Sequence, residues 1–438
     1  MADIRSVKRL PLILGAVLLV CVVVVAGLVI ANQSDDSGPR TGDAVTDRGN
    51  ENTLTVGPHG QYRTIQAAVD AAEAGDTVRI EGGTYHEAVD VTKSGRAGAY
   101  LTIAAKDGEK VVLDGEGTLP DTSGEDRRGL LTFDKQQYVK ISGISVTRSK
   151  RHGIYAGHSS HVVIDDAEVS YSQDGGILLG DGTDYTLTGN RVHHNNAAAD
   201  GGDIGAAANE GLTLYRARNF RIAGNVVHEN YEEGIDVKNS TSDGTIEYNS
   251  VYANNGPNIY VDGANDIQVF SNDVYDAKGP TKSGIGLAVE SGGSARNVQI
   301  FNNLLHGNPG GGVDFWIGAY SDVQIYNNTI YQNGRAAIRL QSGTVSNSVA
   351  VNNIIWGNPL IDVPGVTMSG NLTSDPEFVD LNAGDVRLKE SSPAIDAANP
   401  ARAPKFDFTG AARPVGGAPD LGAYEYGAKP PSPSPSAD

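Results

Sequence analysis

"FRIAGNVVHEN", residues 220–230, is one of five near-copies of a single pattern. "YTLTGNRVHHN" precedes it at 185–195, and "GTIEYNSVYAN", "VQIFNNLLHGN" and "VQIYNNTIYQN" follow at 244–254, 298–308 and 323–333. Together with their neighbours they align Asn190, Asn225, Asn249, Asn272, Asn303, Asn328 and Asn353. Five residues later come Asn195, Asn230, Asn254, Asn308, Asn333 and Asn358. The same amide at one position of successive repeats forms a ladder only if the repeats stack in register as parallel rungs, about 4.8 Å apart.

Working outward, each copy is preceded by a shorter alternating strand: "HGIYAG" at 152, "GGILLG" at 175, "EGLTLY" at 210, "EGIDVK" at 233, "PNIYVD" at 257, "SGIGLA" at 283, "GGVDFW" at 311 and "AAIRLQ" at 336. Their second residues, Gly153, Gly176, Gly211, Gly234, Asn258, Gly284, Gly312 and Ala337, are spaced 23, 35, 23, 24, 26, 28 and 25 apart. The long interval marks an insertion of about a dozen residues near Ala197–Asn209. A period in this range with two or three strands per turn predicts a solenoid of parallel β coils. The pattern resembles the right-handed parallel β-helix class, so the expected fold is all-β, a single solenoid over residues 52–360.

The composition agrees, with 55 Gly and 19 Pro among 438 residues and only two Met. A net charge of -19 argues against a nucleic-acid partner, which would need a concentrated basic face. The single cysteine, Cys21, lies in an apolar N-terminal run, so the folded part has no disulfide. That run, Leu10–Ala31 behind Arg5, Lys8 and Arg9, is long enough to span a bilayer. Residues 1–31 therefore predict a membrane anchor with the rest of the chain outside the cell, the alternative being a cleaved signal and secretion. Residues 32–51 read as a flexible linker and 428–438 as a Pro/Ser tail.

Solenoid ends expose unpaired strands and call for caps. Ile65, Ala68, Val69 and Ala72 at helical spacing behind Thr64 predict a capping helix at the start. Residues 361–427 break the period and are read as the C-terminal cap. They resemble the segment called choice-of-anchor Q at Asp375, Pro376, Phe378, Leu388, Ser392, Pro393, Ile395, Asp396, Asp407, Gly410, Arg413, Asp420, Gly422 and Glu425.

Alternation in "EGIDVK" points Ile235 and Val237 inward and Asp236 and Lys238 outward. Extending that register gives an outward column of Tyr155, Leu178, Thr213, Asp236, Tyr260, Gly286, Asp314 and Arg339. A neighbouring column holds Gly157, Gly180, Tyr215, Lys238, Asp262, Ala288, Trp316 and Gln341. Glu210 and Glu233 each precede a strand-opening glycine, so they occupy the same place on adjacent coils. Glu232 and Asp236 crowd the same corner. Like charges this close call for proton sharing or a hard cation, and for an exported protein calcium is the expected ion. Asp200 and Asp203 of the insertion are within reach of that corner.

"EEGID" together with "NEGL" resembles the calcium-ligand pattern of family-nine pectate lyases, with Glu where the family has Asp at three positions. The resemblance implies Glu210, Glu232, Glu233 and Asp236 as ligands, and β-elimination on a uronate polysaccharide. The family's lysine base is not matched, because Tyr260 stands in its place. Lys238 and Tyr260 are the candidate bases; Tyr215, Asp262, Asp314, Trp316 and Arg339 are the candidate substrate contacts. A glycoside hydrolase using carboxylates paired across coils, among Asp236, Asp262 and Asp314, is the enzymatic alternative. A non-catalytic polysaccharide binder is another, and a monomer is expected in each case. His193, His228 and His306 share a slot with Tyr252, Tyr275, Tyr331 and Trp356, which predicts a stacked planar ladder and not a metal site.

Overall fold

The computed structural model describes residues 52–120, 129–196, 209–290 and 293–431. The expected membrane segment, the linker, Asp200 and Asp203, and the end of the tail lie outside the described residues. Among those described, no helix is long and apolar enough to cross a membrane.

The chain winds as a right-handed parallel β-helix. Each coil contributes one strand to each of three sheets, and in every sheet the strands follow in sequence order with parallel pairing. One coil shows the pattern: Ile235–Lys238, Ser242–Glu247 and Ser250–Tyr252. Their inward residues Ile235, Val237, Ile246 and Val251 are fully buried and stack on their counterparts in the next coil. Full burial of each such side chain contributes about 1.5–3 kcal/mol. At the N-terminal end the helix Ile65–Ala71 begins where Thr64 accepts a hydrogen bond from the Ala67 amide, and it buries Ile65, Ala68 and Val69.

Both asparagine ladders form. In the first, each side-chain amide donates to the carboxamide oxygen of the next coil, at 2.9–3.0 Å from Asn190 through Asn353 to Asn371. The second ladder runs Asn195, Asn230, Asn254 and then, unexpectedly, Asn258 before Asn308. The coil between has Ala277 where the ladder residue belongs, and Asn where its neighbours open the strand with Gly. These two irregularities compensate: the Asn258 amide occupies the rung that Ala277 leaves empty. The strand-opening glycines have the converse reason. A Cβ on Gly211, Gly234 or Gly284 would lie 2.5, 2.6 and 2.9 Å from the ladder amide nitrogen of the same coil.

The imidazole and phenol rings also stack. His193, His228, Tyr252, Tyr275, His306 and Tyr331 succeed one another at 4.6–5.0 Å between ring centres and within 11° of parallel. Burial pushes the His228 imidazole down to about 4; Arg191 and His193 add repulsion, and a hydrogen bond donated to the Glu229 carboxylate opposes it. The unfolded chain binds a proton here near pH 6.5 while the folded one does not until about 4. The stabilising difference is therefore whole above pH 6.5 and lost as pH falls toward 4, about 3 kcal/mol at the limit. His228→Phe keeps the stacking and removes this proton, so its melting temperature should fall less between pH 7 and 4.5 than that of the parent. Equal losses would rule out His228 as the source.

At the C-terminal end Val366–Ser369 adds the last strand of the largest sheet. The following segment then lies along the flank of the last coils. Asn302 donates to the Phe406 carbonyl at 2.8 Å, Asn327 to the Asp420 carbonyl at 2.9 Å and Asn352 to the Asn399 carbonyl at 3.1 Å. These explain the Asn-Asn doublets of the last three coils: the second residue enters the ladder and the first, at positive φ, holds the flanking segment. Arg413, fully buried, is bound to Glu425 at 3.0 Å and to Asn302 at 3.2 Å, and Phe406 packs edge-on against Phe270 and Phe301.

Candidate functional site

The outward column pairs as the spacing requires: Tyr155 with Leu178, Thr213, Asp236, Tyr260, Gly286, Asp314 and Arg339 in successive coils. The neighbouring column pairs Gly157, Gly180, Tyr215, Lys238, Asp262 and Ala288. There the expected register fails. A bulge between Leu287 and Ala288 pairs Ala288 with Ile317, so Trp316 is the extra residue and does not continue the column.

Glu210 and Glu233 sit on adjacent coils, tied by the Gly211 amide donating to the Glu233 carbonyl at 2.8 Å. The Glu233 carboxylate rests against Gly256, where an added Cβ would come within 2.8 Å of it. Lys238 bridges the corner: its ammonium pairs with Glu210, and with Asp236 at 3.0 Å. Thr213, which alternation marks only as outward, donates its hydroxyl to Glu210 at 2.6 Å. Asp236 points away from the coil interior yet is 2% exposed, and among the described residues its Oδ1 has no hydrogen-bond partner.

The charges do not balance: Lys238 and, at longer range beside Glu232, Lys282 face four acids. Burial raises the Glu233 carboxyl well above its ordinary range, with Glu210, Asp236 and Glu232 adding to it. Burial raises Asp236 too, against the pull of Lys238, and raises the half-buried Glu232. Lys238 moves upward as well: its two carboxylate partners outweigh the burial that would lower it. Burial also lifts the Tyr260 phenol, whose ring lies against Gly286. Among the described residues, no three acidic or histidine side chains converge as a preformed metal cage.

The other expected contacts are spread along the same face. Asp314 is buried and held by Arg339, at 3.2 Å to Nε, and by Gln341 at 3.3 Å. Asp262 accepts from the Glu290 amide at 2.8 Å. Tyr215 lies under the Arg216 guanidinium, 4.4 Å from ring centre to carbon, and Arg216 is bound to Asp181 at 2.6 Å. The Trp316 ring lies 5.0 Å from the ammonium of Lys282, a turn residue that alternation could not single out.

This coil geometry and the family comparisons agree. Residues 45–208 match the family described as Pel9A-like, right handed beta helix region, and residues 129–295 and 209–320 match the right handed beta helix region. The fold is thus a right-handed parallel β-helix, and residues 45–208 are similar to its Pel9A-like form. It is 28% identical to the uncharacterized protein YwoF of Bacillus subtilis over 322 residues, covering 63% of this chain and 66% of that one. It is 34% identical to pectate lyase PEL9 of Emericella nidulans over 108 residues, 23% of this chain and 26% of that one. It spans less than two thirds of the length of either. The crystal structure of pectate lyase Pel9A superposes with a TM-score of 0.58 at 18% identity, covering 86% of this chain and 97% of that chain, a likeness of fold.

Proposed function

We propose that this protein is a polysaccharide lyase, exported and anchored by residues 1–31, that cleaves a uronate-containing polysaccharide by β-elimination on the outer face of the sheet carrying Asp236. The observation that carries this reading is the acid corner. Glu210 and Glu233 meet on adjacent coils beside Asp236, whose buried Oδ1 lacks a partner among the described residues. An all-oxygen donor set with excess negative charge fits a hard divalent ion, and Glu210, Glu232, Glu233 and Asp236 would hold calcium. Bound calcium would supply the positive charge that neutralises a sugar carboxylate and so acidifies the adjacent C–H. Lys238 keeps its proton on Nζ because Glu210 and Asp236 surround it. Any neutralisation of those two acids weakens that hold, which favours Lys238 over Tyr260 as the group that accepts the substrate proton.

Incubating the protein with polygalacturonate or alginate, with calcium and then with chelator, tests this. New near-UV absorbance from a C=C bond that vanishes on chelation is the expected result. New reducing ends without absorbance would replace the reading with the glycosidase. A second reading, polysaccharide binding without cleavage, is favoured by one observation: both candidate bases are shifted upward, away from the deprotonated form a base requires. Binding with neither product would establish it.

A further inference from the structure

We infer that Lys282, held by Trp316, is the carboxylate-recognition residue for an acidic sugar on this face. The inference rests on the reading that the substrate is a uronate polysaccharide. It also sets aside Arg339, a candidate substrate contact whose guanidinium is already paired with Asp314. The cations along the face divide cleanly. Lys238 is bound by Glu210 and Asp236, Arg339 by Asp314, and Arg216 by Asp181. A cation already matched by a carboxylate has little left to offer a second one, because a new anion must first displace the old partner.

Lys282 differs. Among the described residues no carboxylate comes within salt-bridge distance of it, and Glu232 feels its charge only from beyond that distance. Its fixed neighbour is the Trp316 ring, 5.0 Å away. An aromatic face orients an ammonium without neutralising it, leaving N–H donors for a ligand. The bulge supplies that neighbour: as the extra residue opposite Leu287 and Ala288, Trp316 is out of column with Ala288 and Asp262. Gly310 follows Lys282 on the next coil and Arg335 follows Gly310, joined by backbone bonds of 2.7 and 3.0 Å. Arg335, exposed, likewise has no carboxylate partner among the described residues. Two cations two coils apart, roughly 10 Å at the strand spacing, form a strip along the axis that suits a polymer with repeated carboxylates.

The test compares binding of polygalacturonate, alginate and the neutral methyl ester of polygalacturonate by affinity electrophoresis, at low salt, with calcium and with chelator. The parent should bind a free-acid polymer and not the ester. Lys282→Gln should weaken that binding about tenfold or more, Lys282→Arg should retain most of it, and Trp316→Ala should fall between them. Unchanged melting curves would exclude misfolding. Equal affinity of the Lys282→Gln variant and the parent, equal affinity for acid and ester, or no binding of either free-acid polymer would each overturn the proposal. Because the readout is binding, it separates from the lyase reading. Lys282-dependent retention without near-UV product sinks the lyase and keeps the subsite; product formation indifferent to Lys282 does the reverse.

Discussion

Replacing Asn258 by Gly should lower stability by about 2–4 kcal/mol, and adding Ala277→Asn to that variant should restore most of the loss. Asn258 donates to the Tyr275 carbonyl at 2.8 Å and to Asn308 at 3.0 Å, and accepts from the Asn254 amide group at 3.0 Å and its backbone N–H at 3.3 Å. Removing it strands these groups in a fully buried ladder, where an unmatched donor or acceptor costs about 1–3 kcal/mol. The double variant recreates the arrangement of the other coils, with Gly opening the strand and Asn in the turn. Ala277→Asn alone should also destabilise, because its amide would compete with Asn258 for one space. The two changes are each harmful alone and nearly neutral together, a coupling that urea midpoints of the four proteins would measure. If the double variant is no better than Asn258→Gly, the compensation is not the reason for the sequence.

Much of this fold was legible because one constraint, parallel registry at a fixed rung spacing, is written repeatedly. The columns through Asp236 and Lys238 followed from counting, since side chains on a strand alternate whatever their identity. Counting failed where identity overrides position. Trp316 left its column because a bulge adds a residue to one strand, and nothing in "GGVDFWIG" separates a bulge from regular alternation. Asn258 departs from the glycine series because its amide enters the adjacent ladder, which the strand pattern alone does not reveal. The Asn-Asn doublets were visible, but their meaning required the flanking segment that binds the first of each pair.

The site was less legible than the fold. Sequence spacing brought Glu210, Glu233 and Asp236 together but said nothing of how deeply outward side chains would be covered. It therefore gave no sign that Lys238 would be spent on Glu210 and Asp236, or Arg339 on Asp314. Lys282 was missed for a related reason: turns obey no alternation, so a cation there carries no positional signal. Its significance emerges only by elimination, after the carboxylates have been assigned to their cations.

Lys238→Met should cost about 3–5 kcal/mol at pH 8, as expected when one partner of a buried ion pair is removed. Glu210 and Asp236 are 5% and 2% exposed, so water cannot replace the ammonium. The loss should shrink in acid. Burial already raises the Asp236 and Glu233 carboxyls, and without Lys238 the raised range extends further. A carboxyl whose folded pKa exceeds its unfolded value favours the folded state once protonated, and that contribution disappears as pH rises through the folded pKa. The variant should thus gain on the parent as pH falls from 8 toward 5, and Glu210→Gln in the same chain should recover part of the loss at pH 8. Calcium provides a further discriminator. With the intrinsic cation gone, a corner that binds the ion should raise the variant's melting temperature more than the parent's, by mass action on the folded state. A variant that melts with the parent at every pH would mean that the ammonium is not what balances the buried acids, and the electrostatic account of the corner would have to be given up.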